Sequence, residues 1–465
     1  MFDSPSMAIT ERSPSLASRL IKRPIRIRAP QDLHGDLFGP RKLDVSSTLV
    51  FFVGALSTYD ISLFGRVVVS ELLMLVLLPA FAFRLIWLFK RPLPFAVLVS
   101  AALAISAILV SDLLVNGVAL YDSARGIARI GFFLLPFLFW SAVLYEDPRL
   151  LRYYVWGLIP ASIIGLFRVS EYDMLSVQIG LVGYEYWLYK VGPLLKSVAF
   201  ALVMLLYKRS RLLSCAILVV LGVILALFSS RTQAASLLIV AMLIGIMSGY
   251  KTSGSRSLIR RRLIAISVIA FSLVVATYVV YIVAAPRGWM GEYQQIKFET
   301  QAQSRFGATP WGILLTGRAD SFAALRAAWE KPWFGFGSWS IPRTVLPEIY
   351  HYLGARMPSY LHERLYMEAD AGHSVLFGAW ATSGLLAVPL WLVVGLCVIR
   401  LFFQAIRLDS SVSPYLLLLA ISSAFTLLFN PLNLAARAML GMVVALVIAI
   451  DRHETRDRAI GSKWK

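Results

Sequence analysis

Three residues stand where anion binding and proton transfer could be carried out at a membrane surface: Arg231, Arg318 and His373. Arg231 lies in the tight connection FSSRTQAA, where Ser229 and Ser230 can cap the next helix, and a guanidinium beside a helix N-terminus makes a seat for an anion. Arg318 stands at the mouth of a short amphipathic segment in which Phe322, Leu325 and Trp329 share one helical face, Asp320 lies near the start and Pro332 ends it. His373 falls between a polar loop and a run apolar enough to enter lipid, with Asp370 as its expected N-cap. In the first turn of a helix a histidine is held neutral by the positive dipole end and stays able to accept a proton. Taken singly, each of the three also fits an interfacial anchor.

The elements that must position these residues are membrane helices. Of 465 residues, 58% are hydrophobic and 15% charged, and apolar runs recur at or near the roughly 20 residues that cross a bilayer. The expected fold is all-α and polytopic, with about twelve spans near 46–64, 67–89, 93–114, 126–145, 151–169, 193–207, 212–229, 233–249, 263–284, 374–399, 414–430 and 432–450. Residues 1–46 read as a basic, disordered tail, 47–284 as spans one to nine, 285–372 as a large loop with short helices, 373–450 as the last three spans and 451–465 as a second tail. Basic residues gather in alternate connections: Lys90–Arg91, Arg149 with Arg152, Lys208–Arg209 with Arg211, Arg260–Arg262, Arg400 with Arg407, and the tail from Arg452. The positive-inside rule then puts both termini in the cytoplasm and the 285–372 loop outside.

The same alternation accounts for the net charge of +19, since the basic groups are interleaved with apolar spans and form no single soluble face. Lipid headgroups are therefore the expected charged partner, and nucleic acid is not. Cys215 and Cys397 fall in separate spans, so neither a disulfide framework nor a metal cluster is expected. The first apolar run follows a long polar tail without a cleavage site, which argues for a retained span over a signal peptide.

Against the positive-inside rule, Arg66, Arg125, Arg129, Arg168, Lys196, Arg231 and Arg437 fall at or within the outer ends of spans. A cation at the bilayer centre costs about 2.5–3.5 kcal/mol on insertion scales, so such groups face a partner or a wet cavity. Together they suit an anionic ligand such as a lipid pyrophosphate, whose oxygens match the guanidinium fork. Glu71 and Asp112 could pair with some of them and are assigned no role. The outer loop carries Trp289, Trp311, Trp333, Trp339, Tyr350, Tyr352, Tyr360 and Tyr366, suited to sugar faces or to an interface belt. Its Gly335 and Gly337, in PWFGFGSW, form a tight turn and not a dinucleotide fingerprint, because no strand precedes them and no third glycine follows.

In order, Ser230–Arg231, then Gly317–Arg318 with its helix and Pro332, Phe334, Gly335 and Gly337, then His373 followed by Gly384, Leu385 and Leu386, resemble the O-antigen ligase/polymerase family of bacterial membrane glycosyltransferases. The likeness covers about Phe228 to Leu390; SRTQ and His-Ser depart from the glycine after Arg and the His-Asn of many members. It implies a twelve-span GT-C-type enzyme of the bacterial inner membrane that transfers a glycan from undecaprenyl pyrophosphate to a glycan acceptor on the outer face. His373 would be the general base, and Arg231 with Arg318 would stabilise the departing diphosphate. Neither cofactor nor metal is needed if the arginines do this, although Asp320, Glu368 and Asp370 leave a metal-assisted or carboxylate-base variant open. Polymerisation of O-antigen or exopolysaccharide repeat units is the favoured form, with a ligase acting on lipid A core and a lipid-glycan flippase as alternatives. Other polysaccharide-export proteins are further candidate partners.

Overall fold

A computed structural model describes residues 44–62, 66–167, 190–227, 231–252, 272, 275–276, 278–290, 292–339, 341–342, 344–357, 374–408 and 410–462. The basic tail to residue 43, most of the expected ninth span, Arg168, Glu368, Asp370 and His373 lie outside the described residues. So does the side chain of Arg231.

Helices α1 (Val45–Ala55), α2 (Val69–Leu77) and α3 (Ala82–Leu88) begin the described chain, with strands β1 (Asp60–Ser62) and β2 (Arg66–Val68) between the first two. Next come α4 (Pro92–Leu109), α5 (Leu120–Leu144), α6 (Leu151–Phe167), α7 (Gly192–Leu206), α8 (Arg211–Leu227) and α9 (Arg231–Thr252). The loop region holds α10 (Glu292–Ala302), α11 (Pro310–Thr316), α12 (Ala319–Glu330) and α13 (Val345–Tyr352). Helices α14 (Val375–Ser383), α15 (Val388–Leu408), α16 (Ser413–Phe429) and α17 (Leu434–Ser462) complete it.

Among the described residues, five stretches are long and apolar enough to cross a membrane: Pro92–Val115, Leu120–Leu144, Pro148–Phe167, Leu385–Leu408 and Leu434–Thr455. Six shorter apolar helices stand at other expected spans: Val45–Ala55, Val69–Phe81, Gly192–Leu206, Arg211–Ala226, Thr232–Met247 and Ser413–Phe429. Among the described residues the chain is thus overwhelmingly helical, with two short strands as the exception to an all-α reading.

Several expected spans are interrupted, each for a local reason. The first stops at Ala55, and the chain turns back as an antiparallel hairpin in which Ile61 faces Val67. Thr58, just past the helix, spends its hydroxyl on Ala161 O of α6 (2.7 Å), which fixes the exit. The second span breaks into a 3-10 turn at Leu78–Phe81, where Pro79 removes a helical donor. The fourth begins at Leu120, six residues earlier than expected, and so takes Arg125 and Arg129 onto the helix. The tenth is split at Gly384, whose φ of 77° ends α14 before a 3-10 turn leads into α15. A side chain there would overlap the Trp333 carbonyl, so the break is also the place where the outer loop touches the bundle.

The main core lies among α4, α5, α15, α16 and α17. Phe133 of α5 meets Trp391 of α15 edge to face at 5.4 Å, and Phe139, Trp140 and Tyr154 continue the aromatic seam toward α6.

The connections sort into two ends. At one, Arg152 Nη2 donates to Ser411 Oγ (3.0 Å), Arg452 Nη1 to Tyr145 O (2.6 Å), and Arg400 Nη2 and Gln404 Nε2 both donate to Asp451 Oδ1 (2.8 and 2.7 Å). At the other, the β1–β2 hairpin meets the start of α17, and the outer loop meets the ends of α4, α9, α14 and α16. Connections that the charge pattern assigns to one side are thus neighbours in space.

Within the outer loop, α12 confirms the helix expected after Arg318 but not its buried face. Ala319, Ala323, Ala324, Ala327 and Ala328 are buried, whereas Phe322 is exposed and Trp329 is 71% exposed. Alanine lets α12 approach α14 closely, and the bulky residues are left to face outward, with Trp329 edge-on to Trp380 at 6.3 Å.

Candidate functional site

The first turn of α9 carries Arg231 and Thr232, and its apolar body holds it upright in the bundle. Across from it, Arg318 is the N-cap residue of α12, and its Nη2 donates to Thr232 Oγ1 at 3.1 Å. The guanidinium carbon of Arg318 also lies 4.8 Å from the centre of the Phe429 ring, on the last turn of α16. Two motifs separated by 86 residues of sequence are thereby joined at the end of a helix whose dipole favours negative charge. Beside Thr232, the Gln233 side-chain oxygen is buried without a hydrogen-bond partner.

Ser374 is brought to the last turn of α16. Its hydroxyl donates to Leu427 O (3.0 Å) and accepts from Phe377 N (3.1 Å), making it the N-cap of α14. This corrects the expectation that Asp370 caps the helix and that His373 lies in its first turn: the helix opens one residue after Ser374, and His373 precedes the cap. The physical reason is that a serine hydroxyl at this position reaches the third amide of the helix, which a residue four places earlier does not. Leu427 and Phe429 both lie in the last turn of α16, so Ser374 and Arg318 each meet the end of that helix.

A second arrangement surrounds the turn expected at Gly335 and Gly337. The chain after α12 folds onto the end of α14: Phe336 N donates to Ala381 O (2.9 Å), Gly337 N to Thr382 O (2.8 Å), and Trp380 Nε1 and Leu385 N both donate to Pro332 O (2.9 Å). From below, α4 ends in a π-helical turn, Val110–Val115, that points polar groups at the same loop. Asn116 Nδ2 donates to Ser111 O and Gly335 O (2.9 and 3.3 Å), Lys331 Nζ donates to Asn116 Oδ1 (3.3 Å), and Ser338 N donates to Asp112 Oδ1 at 2.6 Å. Gly337 has φ 88°, and a Cβ on it would lie 2.6 Å from Val118 Cγ2, so the second glycine is required both by the turn and by the approach of α4.

The remaining candidates separate. Arg437 is committed inside the protein: Nε and Nη2 grip both oxygens of Glu71 (2.6 and 2.5 Å), Nη2 also reaches Arg66 O (3.2 Å), and its guanidinium lies 4.4 Å from the Phe132 ring. Both side chains are nearly sealed, at 7% and 1% exposure, and Glu71 Oε2 also takes the Val68 N–H (3.0 Å). Arg66 lies on β2 and contributes its carbonyl to that pair. Arg125 and Arg129, one turn apart on α5, both lie against Trp339, with Arg125 also paired to Asp122 at 3.2 Å. Lys196 is half-buried on the second turn of α7, beside Ser197, whose hydroxyl contacts Ser162 Oγ at 3.1 Å.

Thr232 and Phe429 do not stand out in the sequence, whereas Asp112 is named there as a possible partner of an arginine and Trp339 as one of the loop aromatics. The adjacency of Thr232 to Arg231 is the signal that could flag the first of these. No protein-family model and no curated protein matches this chain.

Proposed function

We propose that this is a bacterial inner-membrane glycosyltransferase of the O-antigen ligase/polymerase kind, which polymerises repeat units carried on undecaprenyl pyrophosphate. Twelve spans, both termini in the cytoplasm and the outer loop on the periplasmic side belong to the same proposal. The observation that carries it is the hydrogen bond from Arg318 to Thr232, next to Phe429 and to the turn where Ser374 is pinned. Arg318 links the start of α9 to the last turn of α16, and Ser374 is bonded to that same turn, which supports the reading.

In the reaction, an acceptor hydroxyl oxygen attacks the anomeric carbon of the donor and the bond from that carbon to the diphosphate oxygen breaks. His373 takes the hydroxyl proton, and the diphosphate leaves with the bonding electrons. Arg231 and Arg318, at the positive end of α9, offset the charge that develops on it.

The test is transfer by purified protein supplied with lipid-linked repeat units. His373→Ala should lower the rate by about 10²–10⁴-fold, leave donor binding intact and let donor accumulate. Near-parental transfer by that variant at equal protein level removes His373 from the mechanism.

A further inference from the structure

Helix α12 is built inside out for a segment in water. Its packed face is made of alanines, while Phe322, Arg326 and Trp329 recur at spacings of four and three on the exposed face. In water the large rings would gain most from burial and the alanines least. The exposed stripe runs on past Pro332 into Trp333, which is 68% exposed, and Phe334. Within it Arg326 Nε pairs with Glu330 Oε1 at 3.0 Å, both side chains open to the surroundings. Bulky rings beside an exposed ion pair match the boundary between acyl chains and headgroups, where aromatic and charged groups are both accommodated.

The backbone fastens this stripe to a surface that faces the same surroundings as the spans. Pro332 O accepts from both Trp380 Nε1 and Leu385 N (2.9 Å each), and the Trp333 carbonyl lies against Gly384. The segment is thereby tied to the start of Leu385–Leu408, which is long and apolar enough to cross a membrane. Along that stretch Leu385, Leu392, Leu396, Ile399 and Phe403 are exposed at spacings of seven, four, three and four, which makes one outward row. The same segment reaches α4, where Lys331 Nζ donates to Asn116 Oδ1 (3.3 Å) just beyond the exposed Leu113 and Leu114 of the π turn. The aromatic stripe therefore continues exposed leucines at the ends of two membrane-length stretches.

We propose that the exposed face of α12, with Trp333 and Phe334, is a lipid-docking surface that lies in the headgroup boundary of the bilayer. Lipid, and neither water nor a second copy of the chain, is what covers it. Arg318, the N-cap of the same helix, is then held at the depth of lipid phosphates. The inference rests on the apolar stretches crossing a bilayer and not on glycan transfer.

Spin labelling of the full-length protein in phosphatidylcholine nanodiscs tests it, on a background of Cys215→Ala with Cys397→Ala. Nitroxides on Trp329→Cys and Trp333→Cys should collide more with dissolved oxygen, and severalfold less with a water-soluble nickel chelate, than one on Gln303→Cys in the exposed turn after α10. A label on Leu396→Cys gives the value for lipid. In a second measurement without labels, Trp329→Tyr with Trp333→Tyr should lose tryptophan quenching by lipids brominated near the headgroup more than by lipids brominated at the chain end. Nickel access at Trp329 and Trp333 equal to that at Gln303, with Leu396 sheltered, would put the stripe in water and overturn the proposal. The same access at Leu396 would overturn the spans and the proposal together. Labels shut off from both reagents would replace lipid by a second copy on this face. Unchanged headgroup quenching in the double tyrosine variant would overturn it even where the labelled variants fail to fold. No arm reads transfer, so the outcome is separate from that of the glycosyltransferase reading.

Discussion

The two ends of the helix bundle treat charge in opposite ways. At the end marked by Arg452, charged groups meet at the rim: the Arg400 and Asp451 side chains are 54% and 27% exposed, and Arg452 leans on Tyr145 beside Glu146. Such contacts are screened by water and salt and contribute little. At the end marked by Arg318, charges are drawn inside: Glu71 and Arg437 are sealed together, and Asp112 is fully buried beneath the outer loop. Taking charges out of water is expensive, so this end has a reason to hold them that the first end does not need. The same amino-acid types thus stay at the rim at one end and are sealed inside at the other.

The comparison breaks most sharply at Glu71. Arg437→Ala leaves a buried carboxylate with only the Val68 amide, and should destabilise the protein by about 3–5 kcal/mol, read as a large fall in unfolding temperature in detergent. If Arg437→Ala unfolds like the parent, the buried end is no more charge-dependent than the rim. A smaller loss is expected at the loop seat: Gly384→Ala forces a Cβ into the Trp333 carbonyl at φ 77° and should cost about 1–3 kcal/mol, with faster proteolysis between Lys331 and Trp339. Unchanged protection of that loop would mean that it is held without the break. Smallest of all is the rim, where Arg400→Ala should shift stability by less than about 1 kcal/mol and the effect should vanish at high salt.

Much of the fold was legible because lipid imposes a one-dimensional rule: apolar runs become helices, and basic connections alternate. What the rule did not reveal is where a run is interrupted. Pro79 and Gly384 are visible in the sequence, yet each sits in a run apolar enough to be read straight through, and Gly384 breaks its helix because the Trp333 carbonyl occupies the space beside it. The stretch Ser57–Asp60 is too short to separate a span from a hairpin by hydropathy alone. At the site, Arg318 was legible from its place at a helix mouth; Ser229 and Ser230 ahead of α9 lie outside the described residues. The contact of Arg318 with α9 was not legible, because the group it meets is Thr232, an ordinary helix residue until Arg318 reaches it. Which face of α12 packs was not legible for a related reason. Periodicity marks the bulky residues, while the packing distance is set by the alanines opposite.

The π turn at Val110–Val115 has a consequence for the register of the chain. A π turn accommodates one residue more than an α turn, and here the Asn116 amide reaches back five residues to Ser111 O at 2.9 Å. The wider turn absorbs that extra residue, so removing it would restore plain α geometry and leave the chain beyond near the angle it now holds. What would be lost is the wide turn itself, with the five-residue reach from Asn116 to Ser111 and the offset at which Asp112 meets the Ser338 amide. One added residue in an apolar run can therefore make a polar seat without turning the rest of the helix.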